Sequence, residues 1–403
     1  MSRSCLFAMS LFFLLYSSLF AAPKFPFPQN QNYPYGIKPA GADHKDVQAA
    51  YTVFVQKYYE ESGNLARIKW DKLNQTVSEG IGYGMLVMVY MDNAANNTQP
   101  KFDKLWNYYN NPPFLDAQKL MHWKINGFSS VAEQNAATDG DIDVAFALTL
   151  AYKQWSDEKY KSAAADLISK IYKHEVNANK YLKPGDVWDE RKNPSYFVTA
   201  ALELFKKIDT QNDWTTVINN SYSLIKKARN ATTGLVPDWC QENGAADGNG
   251  PDYKFDAART PWRMAWAYAW YGHADAKDVA GKMTTWIRSN TSNNPASIVD
   301  GYKLDGTKIG SYNIPAYIGP FACGGMVDAS HQAWVNSAYT KLASFIDDDN
   351  YYNESLQLLS LLLMTGNAVN FWEATPKDKF KLTLEVSPAN SGTVTKSPDL
   401  AEY

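Results

Sequence analysis

Apolar residues return at helical spacing from about residue 47 to about residue 366, and no other feature limits the possible fold of this chain as much. Val47, Tyr51, Phe54, Val55 and Tyr58 set the pattern; Leu167, Ile168, Ile171 and Tyr172 repeat it, as do Leu356, Leu359, Leu362 and Leu363. About twelve such segments are separated by loops rich in Gly, Asn, Pro and Asp, among them 110–117, 183–194 and 243–252. Period-two alternation is scarce before residue 378, which disfavours a parallel sheet or a sandwich. The expected fold is all-α, and twelve helices joined by wet, aromatic loops suit a toroid of six helical hairpins better than a simple bundle. Periodicity by itself does not establish that such a ring closes.

The two ends read differently from the helical part. Residues 1–22 begin with MSRSC, continue in an apolar run and finish on small residues, the form of a secretory signal peptide. Read as a membrane anchor, the run is too short and too serine-rich, and no later segment approaches the roughly 20 apolar residues of a span. The mature protein is therefore expected outside the cytoplasm, extracellular or periplasmic, with residues 23–375 as one helical domain. In 376–403, Phe380, Leu382, Leu384 and Val386 alternate before a turn at SPANSG, which reads as a short β-like C-terminal tail.

Charge and cysteine content exclude several partners. A formal charge of −3 offers no basic surface for nucleic acid. Of three cysteines, Cys5 lies in the signal, and Cys240 and Cys323 are expected as two buried free thiols, not a disulfide scaffold. The aromatic share is 14%, with 13 Trp and 26 Tyr, more polar-edged rings than an apolar core needs. A groove that stacks sugar faces on flat side chains uses such residues, although many of them serve ordinary cores.

Three acidic clusters carry the candidate chemistry. In TVSEGIGYGM, Ser78 is a candidate helix cap and Glu79 falls in the first turn, where an acid is common for dipole reasons alone. Gly80, Gly82 and Gly84 are poor helix formers there, which suits a backbone passing close to a ligand. In NAATDGDIDVAF, Asp139 reads as a cap and Asp141 and Asp143 as dipole partners, yet three carboxylates so close repel one another. At least one of them is expected to be held by a specific donor or a substrate hydroxyl. The calcium-loop pattern is not matched. In PDYKFDAARTPWRM, Asp256 lies three residues before Arg259 and can pair with it on one helical face. If Asp256 is instead a base, the guanidinium keeps it ionised.

Together the clusters supply one carboxylic acid and one opposing carboxylate, the requirement of glycoside hydrolysis. Competing kits are absent from the sequence: it has no phosphate loop, no G-x-S-x-G elbow and no H-E-x-x-H, and His122, His174, His273 and His331 show no ligand spacing.

The strings VSEGIGYGM, LMHWKI, AATDGDID, LKPGDVW, NPSYF, LVPDWC and IVDGY, in that order, resemble glycoside hydrolase family 8 from about Tyr33 to Asn367, most closely its cellulase branch. The resemblance implies an (α/α)6 barrel and metal-independent, inverting hydrolysis of β-1,4 bonds without a cofactor. It implies Glu79 as proton donor, Asp256 as base and Asp139 as the group gripping the sugar beside the scissile bond. It further implies Trp123, Trp188 and Tyr196 as aromatic cleft residues, with Arg259 beside the base. Phe255 stands where the branch often has Tyr, so one sugar hydrogen bond is expected to be missing. The chain is expected to act as a monomer on β-glucan polysaccharide or oligosaccharide. A family 8 xylanase or mixed-linkage β-glucanase remains open as an alternative, and an inactive carbohydrate-binding toroid is the reading from a different class.

Overall fold

A computed structural model describes residues 22–376, so the signal-peptide and C-terminal strand readings fall outside the described residues. Twelve α-helices are present among them: α1 His44–Tyr58, α2 Ser78–Tyr90, α3 Gln99–Tyr109, α4 Thr138–Trp155, α5 Glu158–Glu175 and α6 Thr199–Ile208, then α7 Trp214–Ala228, α8 Thr260–Tyr271, α9 Ala274–Asn290, α10 Pro315–Gly325, α11 Gln332–Ala343 and α12 Tyr351–Met364. The even-numbered helices form an inner ring. Each packs on the next, and α12 returns to α2. The odd-numbered helices lie outside, α1 on α12, α3 on α2, α5 on α4, α7 on α6, α9 on α8 and α11 on α10. This closure makes the fold an (α/α)6 barrel.

The two rings differ as their sequences require. In α2 every residue except Glu79 is buried, in α10 all are, and in α12 only Tyr352 is not. A helix that is apolar all round belongs inside. The outer helices are one-sided: α5 buries Tyr160, Ala164, Leu167, Ile168 and Ile171 and leaves its lysines to solvent. Each fully buried leucine of α12 stabilises the ring by about 1.5–3 kcal/mol relative to exposure.

Short antiparallel strands accompany the helices, and among the described residues there is neither a parallel sheet nor a sandwich, as the sequence reading expects. The strands β1 Tyr59–Ser62 and β2 Leu65–Ile68 pair as an antiparallel hairpin, and β3 Gln75–Val77, β4 Lys124–Asn126 and β5 Ser130–Glu133 form an antiparallel three-stranded sheet. None exceeds four residues, too few for alternation to register. Their use is local, since β3 runs directly into α2 and β4 follows Trp123.

Gly82 and Gly84 of GIGYG have a different reason from the expected one. A Cβ on Gly82 would lie 2.7 Å from Asp143 Cβ, and one on Gly84 would lie 2.7 Å from Ile68 Cγ1. Across the crossing, a Cβ on Gly140 would meet Ser78 Oγ at 2.5 Å. Gly82 and Gly140 permit α2 and α4 to touch, and so bring the starts of the two helices side by side, while Gly84 makes room for β2. Cys240 and Cys323 are buried and free, as expected.

Candidate active site

Four inner-ring elements present their N-terminal ends to one mouth. Glu79 is the second residue of α2, Asp139 the second of α4, and Tyr351 and Tyr352 open α12. Asp256 sits just ahead of the 3₁₀ turn Ala257–Arg259 that leads into α8. Helix N-termini carry about half a positive charge, which favours carboxylates there. Capping is not their role. Val77 and Ala137 occupy the N-cap positions of α2 and α4, and neither helix has a side-chain cap. Ser78 instead donates its amide to the Trp123 carbonyl at 2.9 Å, which ties the Trp123 segment to the start of α2.

Arg259 gathers the acids. It is 2% exposed, and its Nη1 donates to Glu79 Oε2 at 2.6 Å and to Asp139 Oδ2 at 2.8 Å. Its Nη2 donates to Asp256 Oδ1 at 2.8 Å. The Asp256–Arg259 pair anticipated from spacing therefore exists, but the same guanidinium also reaches two acids from distant segments. Tyr196 lies beneath it, with the guanidinium carbon 5.3 Å from the ring centre.

The other acids of the second cluster are occupied elsewhere. Asp143 makes a two-pronged pair with Arg263, at 2.8 and 2.5 Å, both residues being buried. Asp141 accepts from the Tyr109 hydroxyl. Burial pushes Asp141 up to about 8 and pushes its neighbour Glu175 well above its ordinary value. The expectation that at least one of these carboxylates has a specific donor is met by all three.

Burial and neighbouring charge act on the carboxyls of the mouth. Burial raises Glu79, the Arg259 charge opposes that rise and the Asp139 charge restores it, leaving Glu79 at about 7. Tyr351 donates its hydroxyl to Glu79 Oε1 at 3.0 Å. Asp256 is raised by burial and lowered by Arg259, and its side chain stays 32% exposed to the cleft, which moderates the effect of burial. Beneath Asp256, Asp238 accepts from the amides of Lys254 and Ala257 at 3.0 and 2.8 Å and so clamps the loop that carries it. Burial first, then the Asp256 charge, raises Asp238 to about 7.

A pocket of about 220 Å³ opens over these groups, lined by Trp70, Trp123, Tyr196 and Tyr352 together with Glu79, Asp139 and Asp256. Lys124 Nζ stands 4.8 Å from the Trp70 ring centre and 4.2 Å from that of Trp123, holding the two indoles as one wall. Trp188 is not part of this lining: it is half-buried and folds over Gly185, where a Cβ would come within 2.8 Å of its ring. Phe255 is 48% exposed beside the pocket, edge-on to Tyr317 and Tyr352. Sequence reasoning passed over Trp70, Tyr351, Tyr352 and Asp238. Asp238 lies inside the LVPDWC string and was open to recognition, whereas the other three carry no local pattern.

A carboxyl that titrates near neutrality, a second carboxylate held by arginine, and an indole-walled groove above them are the provisions glycosidic hydrolysis demands. Fold and site together define a glycoside hydrolase. The chain belongs to glycosyl hydrolases family 8, whose family profile matches residues 25–366. It is 34% identical over 396 residues to a β-glucanase from Niallia circulans, covering 91% of this chain and 97% of that one. It is 33% identical over 395 residues to endoglucanase 2 of Ruminiclostridium josui, covering 93% and 83%. The apo structure of a β-1,3-1,4-glucanase from Paenibacillus sp. X4 superposes with a TM-score of 0.80 at 33% identity, covering 86% of this chain and 99% of that one. Rex8A from Paenibacillus barcinonensis, at 17% identity and a TM-score of 0.70 over 82% of this chain and 95% of its own, shares the fold.

Proposed function

We propose that this protein is an exported endo-β-1,4-glucanase that hydrolyses internal bonds of β-glucan chains with inversion at the anomeric carbon. Glu79 donates its proton to the glycosidic oxygen as the bond to the anomeric carbon breaks. Asp256 takes a proton from the water that attacks that carbon from the opposite face. Asp139, facing the same pocket, accepts a hydroxyl of the sugar whose ring distorts toward the transition state. The observation that carries this reading is the sharing of Arg259 by all three acids, with Glu79 poised at about 7. Glu79 and Asp256 contact different nitrogens of the guanidinium, not each other. That arrangement suits the carboxyl spacing of about 6.5–9.5 Å that leaves room for a water in an inverting pair. Export rests on the form of residues 1–22.

Activity on mixed-linkage β-glucan is a second reading, supported by the 33% identity to the Paenibacillus β-1,3-1,4-glucanase. Reducing-sugar release from carboxymethylcellulose, barley β-glucan, xylan and chitosan, measured side by side, separates the possibilities. The expected result is release from the first two with a rapid fall in viscosity, the sign of internal cuts. Release from barley β-glucan alone selects the second reading. Release from xylan or chitosan alone, or from none, overturns both.

A further inference from the structure

Asn193 belongs to NPSYF, a string whose only assigned residue so far is Tyr196. Its side chain is 1% exposed, and its Oδ1 accepts from Ser195 N at 3.0 Å and from Ser195 Oγ at 2.8 Å. Those bonds fix the amide orientation, because exchanging oxygen and nitrogen would set a donor against the Ser195 N–H. The Nδ2 group therefore points away from Ser195. It is buried and makes no hydrogen bond of normal geometry. Native interiors keep few such donors idle. The turn Pro194–Tyr196 that Asn193 caps packs against the turn Ala257–Arg259 that Asp256 precedes, and the Asp256 carboxylate is favoured by the Asn193 side chain as well as by Arg259.

We propose that Asn193 is a positioning residue for Asp256: its Nδ2, directly or through one water, holds the carboxylate that Arg259 Nη2 holds from the other side. Such a donor fixes the direction in which the carboxylate faces the attacking water. Capping Ser195 does not call for an asparagine, since aspartate serves equally well as an acceptor there. What distinguishes Asn from Asp is Nδ2 alone. An aspartate would also add a charge to a mouth where Arg259 already faces Glu79, Asp139 and Asp256, with Asp238 below and the hydroxyls of Tyr196 and Tyr352 alongside.

The inference rests on Asp256 as the base, so Asp256→Asn is measured beside the Asn193 variants. Asn193→Asp retains the cap and replaces the donor with an acceptor, and Asn193→Ala removes the donor without adding charge. Removing a donor to a carboxylate raises its pKa, so the base stays protonated to higher pH. In both variants the acid limb of the kcat/KM profile on barley β-glucan is expected to move up, by about one pH unit in Asn193→Asp. The kcat is expected to fall about tenfold with KM little changed, as for an interaction that acts in the transition state. Ser195→Ala disturbs the cap and leaves Nδ2 in place, so it should lower the melting temperature without moving the limb. If both Asn193 variants fold and keep the wild-type limb and kcat, Asn193 is a cap only and the proposal fails. If Asp256→Asn keeps its turnover, the base assignment itself is wrong.

Discussion

Glu79→Gln is expected to lower kcat on an unactivated β-glucan by about 10²- to 10⁴-fold, the usual contribution of a general acid. The loss should come without unfolding. A glutamine can turn its oxygen to Arg259 Nη1 and its amide to the Tyr351 hydroxyl, which then accepts instead of donating, so both contacts survive. Substrate binding should survive with them. The pH profile adds a second readout. An acid must be protonated to act, and Glu79 stands at about 7, so wild-type activity should decline as pH rises through about 7. That limb should vanish from the residual activity of the variant. A Glu79→Gln enzyme with near-normal turnover, or one that retains the same alkaline limb, would remove Glu79 from the role.

Arg259→Ala is expected to give the largest loss of stability of any single change at the mouth. One buried cation faces three carboxylates, and breaking a buried pair by removing one partner costs about 3–5 kcal/mol. The partial exposure of Asp256 places this change toward the lower end of that range. The penalty should depend on pH in a defined direction. Without the guanidinium the acids repel one another, their folded-state pKa values rise, and the folded protein binds protons more readily than the unfolded chain. Stability of the variant therefore falls as pH rises through the carboxyl range, and the gap to wild type is wider at pH 7 than at pH 5. Arg259→Lys should recover part of the stability but little of the activity, because a single ammonium cannot fork between Glu79 and Asp256. Urea unfolding at the two pH values measures both effects. A gap below about 1 kcal/mol at pH 7 would mean that the three contacts are not a working network.

How much of this was legible in the sequence depends on whether the information is local. Helical period marks the segments because burial on one face writes itself into neighbouring positions, as in α5. Ring closure is a contact between α12 and α2, segments far apart in the chain, and no periodicity encodes it. Glu79, Asp139 and Asp256 were visible as acids at helix starts, yet their meeting on Arg259 is tertiary. The Gly82 and Gly84 positions were misread for the same reason: a glycine looks alike in sequence whether a ligand or another segment of the chain approaches it, and here Asp143 of α4 and Ile68 of β2 fill the space. Trp70 and Tyr352 line the pocket and Tyr351 reaches Glu79 from segments without a motif, whereas Trp188, which had one, is turned onto Gly185. IVDGY also proves local in purpose. Asp300 accepts from the amides of Ser311 and Tyr312 at 2.7 and 2.8 Å, and Tyr302 pairs with Tyr253, three residues before Asp256, so the string steadies the loop that bears the acid.

The central claim is that Glu79 and Asp256 act from opposite faces of the sugar in a single displacement. Proton NMR of the fresh product from a β-linked glucan, recorded before mutarotation, tests it most directly. Attack by a water on Asp256 inverts the anomeric carbon, so the α-anomer should appear first and the β-anomer only later, as mutarotation proceeds. Initial appearance of the β-anomer would mean retention through a covalent intermediate, and would contradict the assignment of Asp256 as a base acting through water.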